Sequence, residues 1–203
     1  RDQLDYLRFP LGGLPKSETR ALANELGLRV AEKPDSQDIC FVPNGKYQDI
    51  VQKLRPGAIE PGQIVHVDGR VMGEHNGIIN FTVGQRRGLG IATGEPLFVV
   101  KLDAANKRVI VGPREELGVT RIALKDVNWI GEAVASEDEL DGRGILVRVR
   151  STRPPVPAKL HIGAGWRVLL DAPEQGVAPG QAAVFYDPHS TRVLGGGWIM
   201  ATA

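Results

Sequence analysis

The run Gln63-Ile64-Val65-His66-Val67-Asp68-Gly69-Arg70-Val71-Met72 is the first clear β-hairpin pattern in this chain. Two short β-rich segments flank Asp68-Gly69, a dipeptide typical of tight hairpin turns because both residues tolerate a positive φ angle. Before Gly57 the apolar residues recur with a helical period, and after it they alternate as in strands. The change of period predicts a domain boundary at residue 57.

The residues that follow the hairpin continue as a small central β domain, predicted to cover residues 57–117. Further strands are expected at residues 78–83, 97–102 and 108–111, with a turn over residues 103–106. The alternation of apolar and polar residues in these runs is the basis for each expected strand.

Residues 118–203 form a second β unit with six short predicted strands, separated by turn signals. Gly195-Gly196-Gly197 is expected to break the chain before Trp198. Six short strands of this kind favour a closed barrel over an open sheet. The predicted strands cover residues 122–129, 144–150, 158–162, 167–170, 182–186 and 192–194.

The N-terminal side of the hairpin, residues 1–56, is predicted to be helical. One helix is expected over residues 17–26, capped by Ser17 and ended by Gly27, and a second over residues 46–54. The fold class is therefore mainly β, with a short α-helical N-terminal segment, a small central β domain and a C-terminal six-stranded antiparallel barrel.

The only cysteine, Cys40, lies between the two predicted helices. A single cysteine cannot form an internal disulfide, so it is either a buried small hydrophobe or a free thiol with a purpose. Asp35 and Asp38 would raise the pKa of the thiol, so a reactive thiolate needs a cation or a helix N-terminus supplied by the fold. Residue types alone leave both interpretations open.

The overall charge gives no argument for a nucleic-acid partner. The chain has 25 basic and 24 acidic residues and a net charge of +1, so any RNA-binding surface must be local. No apolar run approaches the roughly 20 residues that span a bilayer, which predicts a cytoplasmic protein with no membrane partner. We also expect a monomer. The four histidines lack partners at ligand spacing, so no metal site is predicted.

Two groups of basic residues are candidates for such a local surface. The run from Gly84 to Gly90 places Gln85, Arg86 and Arg87 among three glycines, which allow a close backbone approach to a ligand in an active-site or RNA-binding loop. The alternative is an ordinary solvated turn. In the barrel, Arg148 and Arg150 are predicted to share a strand face, followed by Arg153 at the strand end. A solvated strand face explains that pattern equally well.

Four ordered blocks of the chain resemble the bacterial tRNA-specific 2-thiouridylases, enzymes that replace O2 of a wobble uridine with sulfur. The first block contains Cys40 in a D-S-x-x-I-C-F signature. The blocks extend over nearly the whole chain, which makes the resemblance specific. They are residues 35–41, residues 73–77, residues 81–90, and the run from Pro179-Gly180-Gln181 to Gly195-Gly196-Gly197.

The resemblance implies a role for Cys40 as the cysteine that carries a persulfide. It also implies that ATP and Mg²⁺ are bound by a preceding pyrophosphatase domain with an S-G-G-x-D-S loop and a second catalytic cysteine. Neither feature is in this chain, so we expect the C-terminal part of a longer enzyme, inactive alone and without a cofactor of its own. Sulfur would reach the adenylated uridine directly or as hydrosulfide released through the second cysteine.

The implied partners are tRNA and a persulfide donor protein, either a cysteine desulfurase or a relay. The barrel is expected to be similar to the second domain of elongation factors. Arg150 and Gln181 match residues of the family that contact tRNA, and Arg148 and Arg153 extend that candidate surface. Ser151 replaces the aromatic residue that usually follows Arg150, which puts base stacking there in doubt. The alternative function is a non-catalytic, translation-factor-like RNA-binding module.

Overall fold

A computed structural model of the chain describes residues 2–33, 59–92 and 94–203. The chain divides into two compact units, Arg1–Ile50 and Val51–Ala203. The predicted second helix, the boundary at residue 57 and Cys40 with its signature all lie outside the described residues. The three-part domain division with its limits at residues 56 and 117 stays a prediction.

The first unit contains two helices, α1 at Asp2–Tyr6 and α2 at Lys16–Glu25. The prediction that Ser17 caps α2 is wrong, because the extended residue Pro15 stands at the N-cap and its carbonyl accepts hydrogen bonds from Thr19. Ser17 lies inside the first turn, where its hydroxyl is past the capping position. The end of α2 is as expected, since Gly27 has a φ of 65° and the Leu28 N–H donates to the Ala23 carbonyl at 2.9 Å.

The central β domain is a four-stranded sheet with the order β2-β1-β4-β3, in which β1 and β4 run parallel and the other pairs antiparallel. Its core is formed mainly by fully buried β-branched residues, including Ile64, Val99 and Val109. The strands are β1 at Gly62–His66, β2 at Val71–His75, β3 at Phe98–Asp103 and β4 at Arg108–Gly112.

The hairpin between β1 and β2 confirms the Asp68-Gly69 prediction. Gly69 has a φ of 93°, and the His66 N–H donates to the Arg70 carbonyl at 2.8 Å. Hydrogen bonds from the side chain and backbone of Arg70 hold the pKa of the Asp68 carboxyl well below its usual range. The charged pair thus closes the turn that the sequence predicted.

The predicted strand at residues 78–83 is wrong. Ile78–Asn80 forms a turn of 3-10 helix, because Gly77 has a φ of 131° and its N–H donates to Nδ1 of His75 at 3.1 Å. The apolar residues alternate here because Phe81 and Val83 are buried, not because they form a strand. Both are 9% exposed, and Phe81 belongs to the core of the sheet. The chain then meets β3 through the Gly84 N–H, which donates to the Val99 carbonyl at 2.8 Å.

The second half of the larger unit is a closed six-stranded barrel, as predicted. All neighbouring strands are antiparallel, in the order β10-β5-β8-β7-β6-β9. Its interior is filled by side chains such as Ile122, Val147, Leu160 and Phe185, none more than 1% exposed. The strands are β5 at Gly118–Trp129, β6 at Gly144–Arg148, β7 at Val156–His161, β8 at Arg167–Gln175, β9 at Ala182–Tyr186 and β10 at Val193–Thr202.

Several strand limits in the barrel differ from the sequence prediction. β5 begins at Gly118 rather than residue 122, β7 is Val156–His161 rather than 158–162, and β8 continues to Gln175 rather than residue 170. Two further differences affect the candidate site and the closure of the barrel. β6 ends at Arg148, two residues earlier than expected, and β10 runs through Gly195-Gly196-Gly197 without a break. The glycines are needed because β10 lies very close to both neighbouring strands. A Cβ on Gly195 would stand 2.3 Å from the Asn128 carbonyl oxygen, and one on Gly196 would stand 2.6 Å from that of Ala183.

We expect Gly196→Ala to destabilise the barrel by about 1–3 kcal/mol, because the added methyl group must displace backbone atoms of β9. Gly144→Ala is the matched control, since Gly144 opens strand β6 and a Cβ there meets nothing within 4 Å. It should change stability by less than about 0.5 kcal/mol. Urea unfolding followed by tryptophan fluorescence reports on the barrel alone, because all three tryptophans of the chain lie in it. Equal stabilities of the two variants would contradict this account.

Candidate functional site

The loop from Gly84 to Gly90 adopts a shape that only glycine accommodates easily. Gly84, Gly88 and Gly90 have φ angles of 87°, 73° and 71°. The Gln85 side chain braces this loop, since its Oε1 accepts from the Thr82 N–H at 3.0 Å and its Nε2 donates to the Arg87 carbonyl at 2.9 Å. Gln85 is therefore engaged in holding the loop rather than offered to a ligand.

Arg86 and Arg87 are exposed on the loop that Gln85 braces. In the described part of the chain, neither guanidinium makes an ion pair. Arg86 also lines an open cleft of about 430 Å³, together with Leu89, Ile91 and Leu97. Both arginines are thus exposed to solvent, and their role in an active-site or RNA-binding loop stays a prediction.

Arg150 does not lie on a strand face, because β6 has already ended at Arg148. Its Nη2 donates to the Val83 carbonyl at 3.1 Å, which ties the barrel to the loop of the central sheet. The guanidinium lies between Gly84 and Gly176, where a Cβ would stand 3.2 Å and 2.7 Å from Nη2. The predicted open basic face through Arg148 and Arg150 is therefore corrected to a partly buried junction.

Arg153 lies at the other end of the same turn and pairs with Glu174. The backbone N–H of Arg153 donates to the Arg150 carbonyl at 3.3 Å, and its Nη1 donates to Oε1 of Glu174 at 2.5 Å. Glu174 is only 8% exposed, so its carboxylate requires this partner. Ser151 lies within the turn and is exposed.

Arg148 lies on the outer side of the barrel, because Ile145 and Val147 of the same strand point inward. Its guanidinium carbon lies 5.6 Å from the centre of the Tyr186 ring, a distance typical of a cation–π contact. Within the described residues, the buried Nε of Arg148 has no hydrogen-bond partner. The rest of the guanidinium is held over an aromatic face instead of pairing with a carboxylate.

Gln181 lies in a turn that is fixed by backbone hydrogen bonds to β10. The Gly180 N–H donates to the Ile199 carbonyl, and the Ile199 N–H donates to the Gln181 carbonyl, both at 2.8 Å. The Gln181 side chain is exposed and makes no hydrogen bond with the residues that the structure describes. The amide is thus presented on a rigid turn.

The structure brings some of the predicted residues together and leaves others apart. Arg150 and Arg153 meet the segment Glu174–Gly176, whereas no hydrogen bond or ion pair among the described residues joins the side chain of Arg148 or Gln181 to that segment. Glu174 and Gly176 were not among the residues predicted from the sequence. The positive φ of 70° at Gly176 agrees with a glycine turn, but no local pattern indicates that an arginine lies against it.

None of the helices in the described part of the chain is long and apolar enough to cross a membrane. No group of three or more metal-ligating side chains comes together among these residues.

Three family models match successive parts of the chain. Residues 1–44 match the tRNA methyl transferase HUP domain, residues 48–113 the tRNA methyl transferase PRC-barrel domain, and residues 119–199 the aminomethyltransferase β-barrel domain. The three models follow one another with short gaps and include both the Cys40 signature and the barrel.

Curated relatives match the chain from end to end. The tRNA-specific 2-thiouridylase MnmA of Maricaulis maris is 64% identical over 204 residues, which is 100% of this chain and 49% of the relative. The enzymes of the same name from Hyphomonas neptunium and a Bradyrhizobium species are each 61% identical, over 98% and 99% of this chain and 51% of their own length. The chain spans about half the length of the curated relatives it matches. These identities, with the ordered match to all three domain models, show that the chain belongs to the family of the tRNA-specific 2-thiouridylases.

Proposed function

We propose that this chain takes part in the 2-thiolation of a tRNA wobble uridine and that Cys40 carries the sulfur as a persulfide. The observation that carries the proposal is the D-S-x-x-I-C-F signature around the only cysteine of the chain. The signature lies in the part that matches the HUP domain, and the similar proteins are named for tRNA 2-thiouridylation. A free cysteine kept only for packing does not account for that surrounding signature.

Sulfur transfer needs an acceptor that can be converted to a persulfide and attacked again. A cysteine sulfur can accept a sulfane sulfur from a donor protein, whereas a serine hydroxyl cannot. Asp35 and Asp38 disfavour a free thiolate at Cys40. We infer that a persulfide donor, either a cysteine desulfurase or a relay protein, and a cation from the folded enzyme act together at this loop.

ATP would supply the activation of the uridine O2 as a leaving group. The start of α2 does not favour a phosphate, because Pro15 stands at its N-cap and Glu18 lies in its first turn. We therefore assign nucleotide binding with Mg²⁺ to another part of the whole enzyme, and no step of this proposal uses ATP in these residues.

The β domains are proposed to bind tRNA through the two rigid features described above. Arg86 and Arg87 project from the braced loop, and Gln181 projects from the turn beside β10. Arg150 donates one hydrogen bond to Val83, which leaves other guanidinium donors for a phosphate and holds the group in place. The remaining members of this proposed surface are Arg148, Ser151 and Arg153.

We predict that Cys40→Ser in the full-length enzyme abolishes thiolation and leaves tRNA affinity within about threefold, because serine keeps the shape but cannot hold a persulfide. Mass spectrometry after incubation with a cysteine desulfurase and cysteine should show a gain of about 32 Da on the wild-type Cys40 peptide. Near wild-type thiolation by the serine variant would leave a binding module with a packing cysteine as the better interpretation.

A second prediction concerns Arg150 and Gln181. Arg150→Ala should weaken tRNA binding and reduce the slope of log K against log salt by about one, because a lost phosphate contact releases one counterion fewer. Gln181→Ala should weaken binding with the slope unchanged, since an amide releases no counterion.

The control for this pair is Lys159→Ala, which removes one positive charge from an exposed position on β7. Filter-binding titrations at several salt concentrations give affinity and slope together. A fall in affinity for Arg150→Ala without a change in slope would assign Arg150 to the junction with Val83 alone.

A further inference from the structure

The three tryptophans of the barrel differ in how their rings are used. The Trp129 indole N–H donates to the Glu132 carbonyl at 3.0 Å, and the Arg143 guanidinium lies 5.2 Å from its ring centre. The Trp166 indole N–H donates to Oε2 of Glu137 at 2.9 Å. Trp198 is 47% exposed and makes no hydrogen bond or ring contact within the described residues. The Trp198 ring is therefore partly exposed to solvent and is not engaged by hydrogen bonds or ring contacts in this part of the chain.

The backbone around Trp198 is shaped by a β-bulge in the facing strand. Trp198 is paired with Lys125 and Gly196 with Asn128, so β5 contains one extra residue in this interval. Asp126 has a φ of 51°, which few residues other than glycine adopt. Gly197 must lack a side chain here, because a Cβ would stand 2.7 Å from Cγ2 of Val127. Bulges of this kind redirect side chains, and this one sets Lys125 directly opposite Trp198.

Polar residues of two different kinds stand on either side of Trp198. On one side, Trp198 is paired with Ala182, and the Gln181 carbonyl before it accepts the N–H of Ile199 at 2.8 Å. On the other side stands Lys125, whose side chain is 59% exposed and only 4.0 Å from the Asp126 carboxylate at its nearest approach. Ala182, Trp198 and Lys125 thus form a row across β9, β10 and β5, and Gln181 lies in the turn just before Ala182.

The charge on this side of β5 favours an anionic ligand. Arg121 lies four residues before Lys125 on the same strand, is exposed, and in the described part of the chain makes no ion pair. Asp126 is the only acidic residue of β5, so the strand carries two cations and one anion. The small neighbour Ala182 leaves room for a flat group over the indole ring.

We propose that Trp198 is a stacking platform for one unpaired base of the bound tRNA, with Lys125 at the adjoining phosphate and Gln181 at the edge of the base or sugar. The proposal rests on the proposed function and adds a site to it. Exposed aromatic rings beside cations are the usual means by which proteins hold unpaired bases, because every base has a face that stacks.

The test is tRNA binding by the full-length enzyme and its Trp198→Ala, Trp198→Phe and Met200→Ala variants, measured by filter binding and by tryptophan fluorescence with unfractionated tRNA. Trp198→Ala should bind about tenfold or more weakly, and Trp198→Phe, which keeps a ring, should stay within about threefold. The control Met200→Ala removes a neighbouring apolar side chain that is 56% exposed and should bind as wild type does.

The fluorescence measurement distinguishes stacking from mere support of the fold. Addition of tRNA should quench the wild-type fluorescence, and Trp198→Phe should lose part of that quenching while it still binds. Wild-type affinity in Trp198→Ala, or unchanged quenching in Trp198→Phe, would overturn the platform and leave the proposed function intact. Equal weakening by Met200→Ala would show that tRNA binding does not depend on the Trp198 ring in particular and would also overturn the platform. No tRNA binding by the wild-type enzyme would overturn the proposed function itself.

Discussion

The structure of the larger unit depends on the close approach of three strands at Gly195-Gly196-Gly197. β10 is hydrogen-bonded to β5 on one side and to β9 on the other, so it is the strand that closes the barrel. A side chain at any of the three glycines would collide with a neighbouring strand at 2.3–2.7 Å. Closed barrels have no free strand edges, which removes a route to aggregation. The glycines therefore fix both the closure and the position of every group that projects from this end of β10.

The buried charged groups at the junction between the central sheet and the barrel each have a polar partner. Glu174 is nearly buried and pairs with Arg153, while Arg150 is partly buried and donates to the Val83 carbonyl. Breaking a buried ion pair by removing one partner costs about 3–5 kcal/mol, because the remaining charge stays without a partner. The cost here is smaller, since the Arg153 side chain is 42% exposed and can be replaced in part by water. The junction is thus held by satisfied charges rather than by a large apolar interface.

Local patterns predicted the parts of the fold that local chemistry determines. Asp68-Gly69 predicted a hairpin because the turn itself requires those residues, and the alternation in β9 predicted a strand with the same limits as the structure. The run at residues 78–83 misled the prediction because Phe81 and Val83 alternate for burial while Gly77 turns the backbone. Gly195-Gly196-Gly197 was wrongly predicted to break the chain. These glycines lie within β10, where they allow close approach to the neighbouring strands rather than a turn.

Contacts between distant parts of the chain could not be predicted in this way. Arg150 and Val83 are 67 residues apart, and Arg153 and Glu174 are 21 apart, so no spacing rule connects them. The same limit applies to the candidate site. The sequence indicated Arg150 as a basic residue on a strand, but only the fold shows that Gly84 and Gly176 enclose its guanidinium. The Cys40 signature is the opposite case. Its proposed role is inferred from residue identity and from the family, and its structural surroundings lie outside the described residues.

The near-neutral charge of the chain limits how it could hold RNA under the proposed function. With 25 basic residues balanced by 24 acidic ones, long-range attraction of this chain to a polyanion is weak, and any cations that contact RNA must act at short range. In the proposed site, stacking on Trp198 and hydrogen bonding by Gln181 would add affinity without counterion release, so they would remain effective at salt concentrations that weaken phosphate contacts. Such contacts also require an unpaired base, which a regular RNA helix does not offer. The proposed site of Trp198, Lys125 and Gln181 would therefore select a tRNA by its single-stranded parts rather than by its charge.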